Sequence, residues 1–219
     1  MSALRHLASV THELLLEYTN ITQKSLGDLP ISVDILRNII KQKCNFTNIT
    51  WKSVDVKTEE ILGYVKFYYP VPANIRTIED PTTAIIYYRK DLEEDLRRFV
   101  ICKELCHCLI DNSDATRVSN ATDLKNLLQG LASGIGKITD EGPMDSEKTA
   151  EILALEILCP AELRSVHAPE LRAGKISIEQ LAKRFLVPVD YLEFGMYDSY
   201  LRAILQVRHG QLVPIAPPE

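Results

Sequence analysis

Positions 98–107 of the chain read RFVICKELCH, and this stretch decides how the surrounding sequence is interpreted. It lies in a segment from about Asp91 to Ile110 that we predict to be a helix. Asp91 and Glu94 have the three-residue spacing of a capping box, which is typical of a helix start. Glutamates also precede arginines by four positions in the segment, which stabilises a helix. The clearest helix of the sequence therefore carries the candidate site.

Lys103, Glu104 and His107 have the spacing of the zinc-binding helix motif His-Glu-x-x-His, with one change. In that motif, two histidines on one helix face bind one ion, and the glutamate acts on bound water as general base. Glu104 keeps the position of the base and His107 that of the second ligand, whereas Lys103 stands at the first-ligand position. On its own, Glu-x-x-His is equally compatible with an amphipathic helix carrying a solvated glutamate.

A second segment, from about residue 145 to 159, predicts a helix that ends before Pro160. Its Glu147 and Glu151 are four residues apart, so they share one helical face. A zinc site of this kind takes its third ligand from another element, often a glutamate. The alternative for both carboxylates is a solvated acidic edge beside the core.

The two segments together resemble the ImmA/IrrE family of metallopeptidases. Residues 84–107 are similar to that family's strand followed by R-F-T-x-A-H-E-L-G-H, and 147–160 are similar to E-x-x-A-N-x-F-A-x-E-L-L-x-P. Residues 176–187 resemble the helix that follows. The resemblance covers about residues 30–195 and implies a zincin-like fold in which two histidines and one glutamate hold zinc.

Carried over by position, the resemblance implies a role for each of four side chains. His107 is the second histidine ligand, Glu147 the third ligand with Glu151 as its alternative, and Glu104 the general base. The family's implied activity is hydrolysis of a regulatory protein such as a repressor.

Lys103 changes what this site can do. A protonated ammonium has three donors and no lone pair, and its ordinary pKa is about 10.4, so it does not ligate zinc near neutral pH. We expect Lys103 to replace the charge of the metal by pairing with Glu147, Glu151 or Glu104.

Three further side chains could donate to a metal: Cys102, Cys106 and Asp111. Cys102 and Cys106 share a helix face, but His107 points about 100° away from Cys106. Both thiols are therefore expected to act as small buried hydrophobes. Asp111 lies at the helix end, where a polar residue usually marks the stop.

The rest of the chain predicts an α+β fold. Residues 49–56 and 61–69 are rich in β-branched and aromatic residues and flank a turn-like segment, which predicts an antiparallel hairpin. Residues 84–88 predict a third strand, giving a small antiparallel three-stranded sheet. Further helices are predicted at about residues 3–18, 34–44, 121–131, 161–166, 177–185 and 189–207.

Three regions are predicted along the chain. Residues 1–29 form an N-terminal helical extension, residues 30–206 the metallopeptidase-like domain, and residues 207–219 a proline-containing tail.

The composition of the chain limits the classes of molecule that it is expected to bind. The 219 residues carry a net charge of −5, which disfavours general affinity for nucleic acid or an anionic membrane but leaves room for a local basic patch. Residues 177–192 have a pattern like a helix-turn-helix, but their few basic side chains favour a packing role.

The cellular location of the protein is also predicted from its sequence. We find no apolar run of about 18 residues and no signal peptide, so no membrane partner is expected. Five cysteines in such a chain are expected to be reduced. We predict a cytoplasmic protein of unknown oligomeric state.

Two functions follow from these observations. One is a zinc metallopeptidase that cleaves a regulatory protein, with zinc as its cofactor. The other is an inactive pseudo-peptidase without metal, which uses the same site to bind a protein or peptide.

Overall fold

The structure is a computed structural model that describes residues 3–55, 61–69, 82–110, 117–120 and 146–209. These residues form eight helices and four strands. In chain order they are α1 (Ala3–Thr22), α2 (Val33–Lys43), β1 (Phe46–Val54), β2 (Ile61–Tyr68), β3 (Thr82–Arg89), α3 (Glu94–Ile110), β4 (Arg117–Asn120), α4 (Ser146–Leu158), α5 (Ala161–Arg172), α6 (Ile178–Phe185), α7 (Val189–Gly195) and α8 (Asp198–His209).

The four strands form one mixed sheet in the order β1-β3-β2-β4. β3 runs parallel to β1 and antiparallel to β2, and β2 is also antiparallel to β4. The mixed α+β class is therefore confirmed, but the antiparallel three-stranded sheet is wrong. β4 was not predicted from the sequence.

The predicted hairpin between β1 and β2 is also wrong, because β3 lies between them. The sequence between the two strands indicated a reversal of the chain, but a turn signal does not show which strands become neighbours in the sheet. Ala84 and Ile86 of β3 are fully buried, and a central position provides hydrogen-bond partners on both sides of their strand.

α3 runs through the centre of the molecule. Every residue from Phe99 to Cys108 is buried, on all sides of the helix. α3 packs on β2 and β3 on one side and along α4 on the other. The residues Ala150–Leu158 of α4 are likewise all buried. The candidate site lies where these two buried helices meet.

Gly63 of β2 allows α3 to approach the sheet. A Cβ at this position would lie 2.5 Å from Val100 Cγ1 and 2.9 Å from the Tyr87 carbonyl oxygen, both too close for a real contact. The absence of a side chain at Gly63 therefore lets α3, the helix that carries the candidate site, pack closely against β2.

We expect Gly63→Ala to lower the free energy of unfolding by about 1–3 kcal/mol, because the added methyl group over-packs the contact with α3. Urea unfolding measures this change. Gly27→Ala is the matched control, since its Cβ would meet its nearest neighbour, Ser25 Oγ, at an ordinary 3.4 Å. Equal stability of the two variants would contradict the close approach of α3 and β2.

α1 is part of the main core. Leu7, Leu14, Leu15 and Tyr18 are buried in the same hydrophobic cluster as the residues of α3 and α4. The predicted boundary after residue 29 falls in the connection between α1 and α2, and it stays a prediction.

The helix predicted over residues 189–207 is divided into α7 and α8. α7 ends at Gly195, whose carbonyl oxygen accepts a hydrogen bond from the buried Arg164. A Cβ on Gly195 would lie against the Arg164 guanidinium, so this residue provides room for the arginine as well. The predicted helix 121–131 lies outside the described residues.

Within the part of the chain that the structure describes, no helix is both long and apolar enough to cross a membrane.

Candidate functional site

α3 and α4 bring most of the predicted site residues together. Lys103, Glu104 and His107 on α3 are all at most 2% exposed, and Glu151 on α4 is buried too. Glu147 lies in the first turn of α4 and keeps 22% of its side chain exposed. The solvated-glutamate alternative therefore does not hold for Glu104, which is fully buried.

Glu147 is the carboxylate that joins the two helices. Its Oε2 accepts a hydrogen bond from Lys103 Nζ at 2.5 Å, and its Oε1 lies 3.2 Å from His107 Nε2. Lys103 Nζ also lies 3.8 Å from Glu104 Oε1. The site is thus a continuous line of ionisable side chains from Glu104 through Lys103 and Glu147 to His107.

Ser146 is a site residue that sequence reasoning missed. Its Oγ lies 3.5 Å from His107 Nδ1, on the ring edge opposite to Glu147. Ser146 is the first residue of α4 and directly precedes Glu147. This neighbouring position is the only feature of the sequence that could have pointed to Ser146. His107 therefore has polar groups of α4 at both ring nitrogens.

The carboxylates of the site raise the pKa values of its two basic groups. Burial lowers the pKa of Lys103, but the charges of Glu104 and Glu147 outweigh it and raise that pKa. Burial also lowers the pKa of His107, while its hydrogen bond to Glu147 and the charge of Glu104 raise it above its ordinary value.

The pKa of Glu147 shifts in the opposite direction. Burial raises its pKa, but the hydrogen bond with His107 and the charge of Lys103 outweigh burial and lower the pKa to about 2. At neutral pH the Lys103 ammonium therefore lies against an ionised Glu147 carboxylate.

Glu147 makes direct contacts to Lys103 and His107. Glu151 lies one turn further along α4 and acts on Lys103 through its charge. Because Glu147 lies in the first turn of α4, its carboxylate reaches both Lys103 and His107 of α3.

Cys102 and Cys106 are buried in the hydrophobic core, as expected of small apolar side chains. Burial raises the pKa of the Cys106 thiol well above its ordinary value, with a further contribution from its hydrogen bond to Cys102. Asp111 lies outside the described residues.

The donor set does not fit the three-ligand zinc site that the resemblance implies. Lys103 occupies the first-ligand position as an ammonium, which has no lone pair for a metal. His107 and Glu147 remain, and zinc sites use at least three protein ligands. Among the residues that the structure describes, no group of three or more His, Cys, Asp or Glu side chains could hold a metal ion.

A second buried ion pair, not predicted from the sequence, lies at the other end of α4. Glu156 and Arg164 are fully buried and hydrogen-bonded to each other, and Tyr200 donates to Glu156 Oε1 at 2.9 Å. Arg208 Nη2 approaches Glu156 Oε2 at 3.7 Å. These contacts join α4 to α5 and α8, so they hold in place the helix that carries Glu147.

The chain matches no protein-family model and no curated protein sequence. The family resemblance therefore stays a prediction.

Proposed function

We propose that this chain is a metallopeptidase-like protein that does not cleave peptides and that binds a protein or peptide as a regulatory module. The observation that carries the proposal is the 2.5 Å contact from Lys103 Nζ to Glu147 Oε2. It supports replacement of a metal cation by an ammonium that faces the same carboxylates. Membership of the ImmA/IrrE family is part of this proposal.

The charges of the site support this replacement. Two carboxylates, Glu104 and Glu147, face one another across Lys103, and buried carboxylates need a compensating cation. The raised pKa of Lys103 keeps its ammonium charged at neutral pH. A zincin scaffold can in this way retain its buried acids without a metal.

The chemistry of the same residues argues against catalysis. Cleavage by the zincin route needs water activated on a metal with a glutamate as base. The Glu104 carboxylate instead lies beside the Lys103 ammonium. The raised pKa of the Cys106 thiol also makes it a poor nucleophile, since the thiolate is the reactive form.

The ligand class follows from the resemblance, because a peptidase site accommodates a polypeptide. The competing hypothesis is an active zinc peptidase that cleaves a regulatory protein. It requires ligands beyond His107 and Glu147, so metal content separates the two functions.

We expect the native protein, purified without chelators, to hold far less than one zinc per chain by elemental mass spectrometry. Lys103→His should bind close to one zinc, because it supplies the third ligand beside His107 and Glu147. Lys148→His is the matched control, since Lys148 is an exposed lysine on α4 and should gain no zinc.

Near-stoichiometric zinc in the native protein would contradict the proposal and favour the peptidase. Lack of zinc in Lys103→His, with its fold intact by circular dichroism, would show that the scaffold is not a zincin. In that case the family resemblance itself would fail.

A further inference from the structure

The face of the sheet that points away from the helices carries a cluster of tyrosines and lysines. Side chains alternate between the two faces of a strand. On β2 and β3, Val65, Phe67, Ala84 and Ile86 are buried toward α3, so the residues between them face outward. We call this outward side, with Lys52, Tyr64, Lys66, Tyr68 and Tyr87, the outer face.

The strand register brings these residues together. Tyr87 lies opposite Tyr64 on one side and opposite Lys52 on the other, which makes one row across three strands. The Tyr64 and Tyr87 rings stack at 4.8 Å between centroids, inclined by 19°. Tyr68 continues the surface, with its hydroxyl 3.4 Å from that of Tyr87.

The lysines frame these rings. Lys66 Nζ lies 5.2 Å from the centroid of the Tyr68 ring, and both Lys66 and Lys52 are exposed. Within the described ranges, Tyr68 is one of five large hydrophobic residues that are exposed, at 37%. Aromatic surface and positive charge are therefore both accessible on the same side.

The charge of the strands contrasts with that of the chain. The sequence holds 30 acidic residues and a net charge of −5, yet none of the four strands contains an aspartate or a glutamate. A negatively charged ligand thus meets lysines and no carboxylate on the strands of the outer face.

We propose that the outer face binds single-stranded nucleic acid, with bases stacked on Tyr64, Tyr68 and Tyr87 and phosphates paired with Lys52 and Lys66. Exposed aromatic side chains stack on unpaired bases, and lysines neutralise the backbone beside them. Bases in a duplex do not offer their ring faces, so the outer face distinguishes single strands from duplexes. This site is separate from the proposed peptide site, which lies beyond α3 on the opposite side of the sheet.

The test is fluorescence anisotropy of the full chain with labelled single-stranded RNA and DNA of about 12 nucleotides and mixed sequence, beside a duplex of equal length. We expect saturable binding of the single strands at low salt, and binding that weakens as salt rises because phosphate contacts release counterions. Tyr64→Leu and Tyr87→Leu should each weaken binding roughly 5- to 150-fold, the range for loss of one stacked base.

Charge reversals make the test independent of folding defects. Lys52→Glu and Lys66→Glu change exposed side chains and should weaken binding. Lys175→Glu changes the charge equally at an exposed position in the connection between α5 and α6, and it should not weaken binding. No binding of either single strand at low salt would overturn the proposal. Equal binding of the duplex, equal loss in Lys175→Glu, or capture of anionic vesicles in place of oligonucleotides would also overturn it.

Discussion

Arg164→Ala is expected to lower the free energy of unfolding by about 3–5 kcal/mol, because it leaves the carboxylate of Glu156 buried without its main cation. Both side chains are fully buried, and Arg164 donates to Glu156 and to the carbonyl of Gly195. Since domains are stable by only about 5–15 kcal/mol, this loss is a large share of the total. Chemical denaturation measured by circular dichroism determines it.

Two further variants isolate the cause of that loss. Arg172→Ala removes an arginine whose partner, Asp198, is exposed, so its effect should stay within about 1 kcal/mol. Replacing both charges, as in Glu156→Leu with Arg164→Met, should recover part of the stability, because neither member of the pair is left alone and Arg208 keeps its hydrogen bonds to Glu162. If Arg164→Ala is no more harmful than Arg172→Ala, the buried pair does not contribute as proposed.

Lys103→Ala is expected to destabilise the protein by about 3 kcal/mol, the lower end of the range for breaking a buried pair. Glu104 is fully buried and would lose the nearby ammonium, whereas Glu147 is partly exposed and can still be solvated. Thermal unfolding near neutral pH measures the change. Lys90→Ala is the control, because Lys90 pairs with Asp55 where both side chains are exposed.

A double-mutant cycle with Glu147→Gln tests which carboxylate carries the effect. The cost of Lys103→Ala should be smaller in the Glu147→Gln background, because one of the two acids that need a cation is already neutral. A melting curve that Lys103→Ala leaves unchanged would refute the replacement of a metal charge by the lysine.

Local sequence was sufficient for the helices of the site. The capping-box-like spacing ahead of α3 and Pro160 after α4 predicted segments that contain Glu94–Ile110 and Ser146–Leu158 as the structure has them. Helix formation depends on contacts three and four residues apart, which a sequence displays directly. For the same reason, Glu147 and Glu151 could be placed on one face of a helix.

Sheet topology could not be predicted in that way. The strands themselves were recognised at β1, β2 and β3, but their order depends on pairings between distant residues. The parallel contact of β1 with β3 joins residues more than 30 positions apart, such as Trp51 and Ile86. The turn between β1 and β2 favoured a hairpin of these two strands. In the structure the buried strand β3 lies between them instead.

The sequence by itself determined the identity and spacing of Lys103, Glu104 and His107, and thereby the chemistry of a lysine where a metal ligand is expected. Only the tertiary structure decided that Glu147, 44 positions further on, meets Lys103 at 2.5 Å. It also decided that Tyr64 and Tyr87 stack on the outer face of the sheet. The physical reason is that residue chemistry and helical period are local properties, whereas burial and the pairing of charges arise only when distant segments pack together.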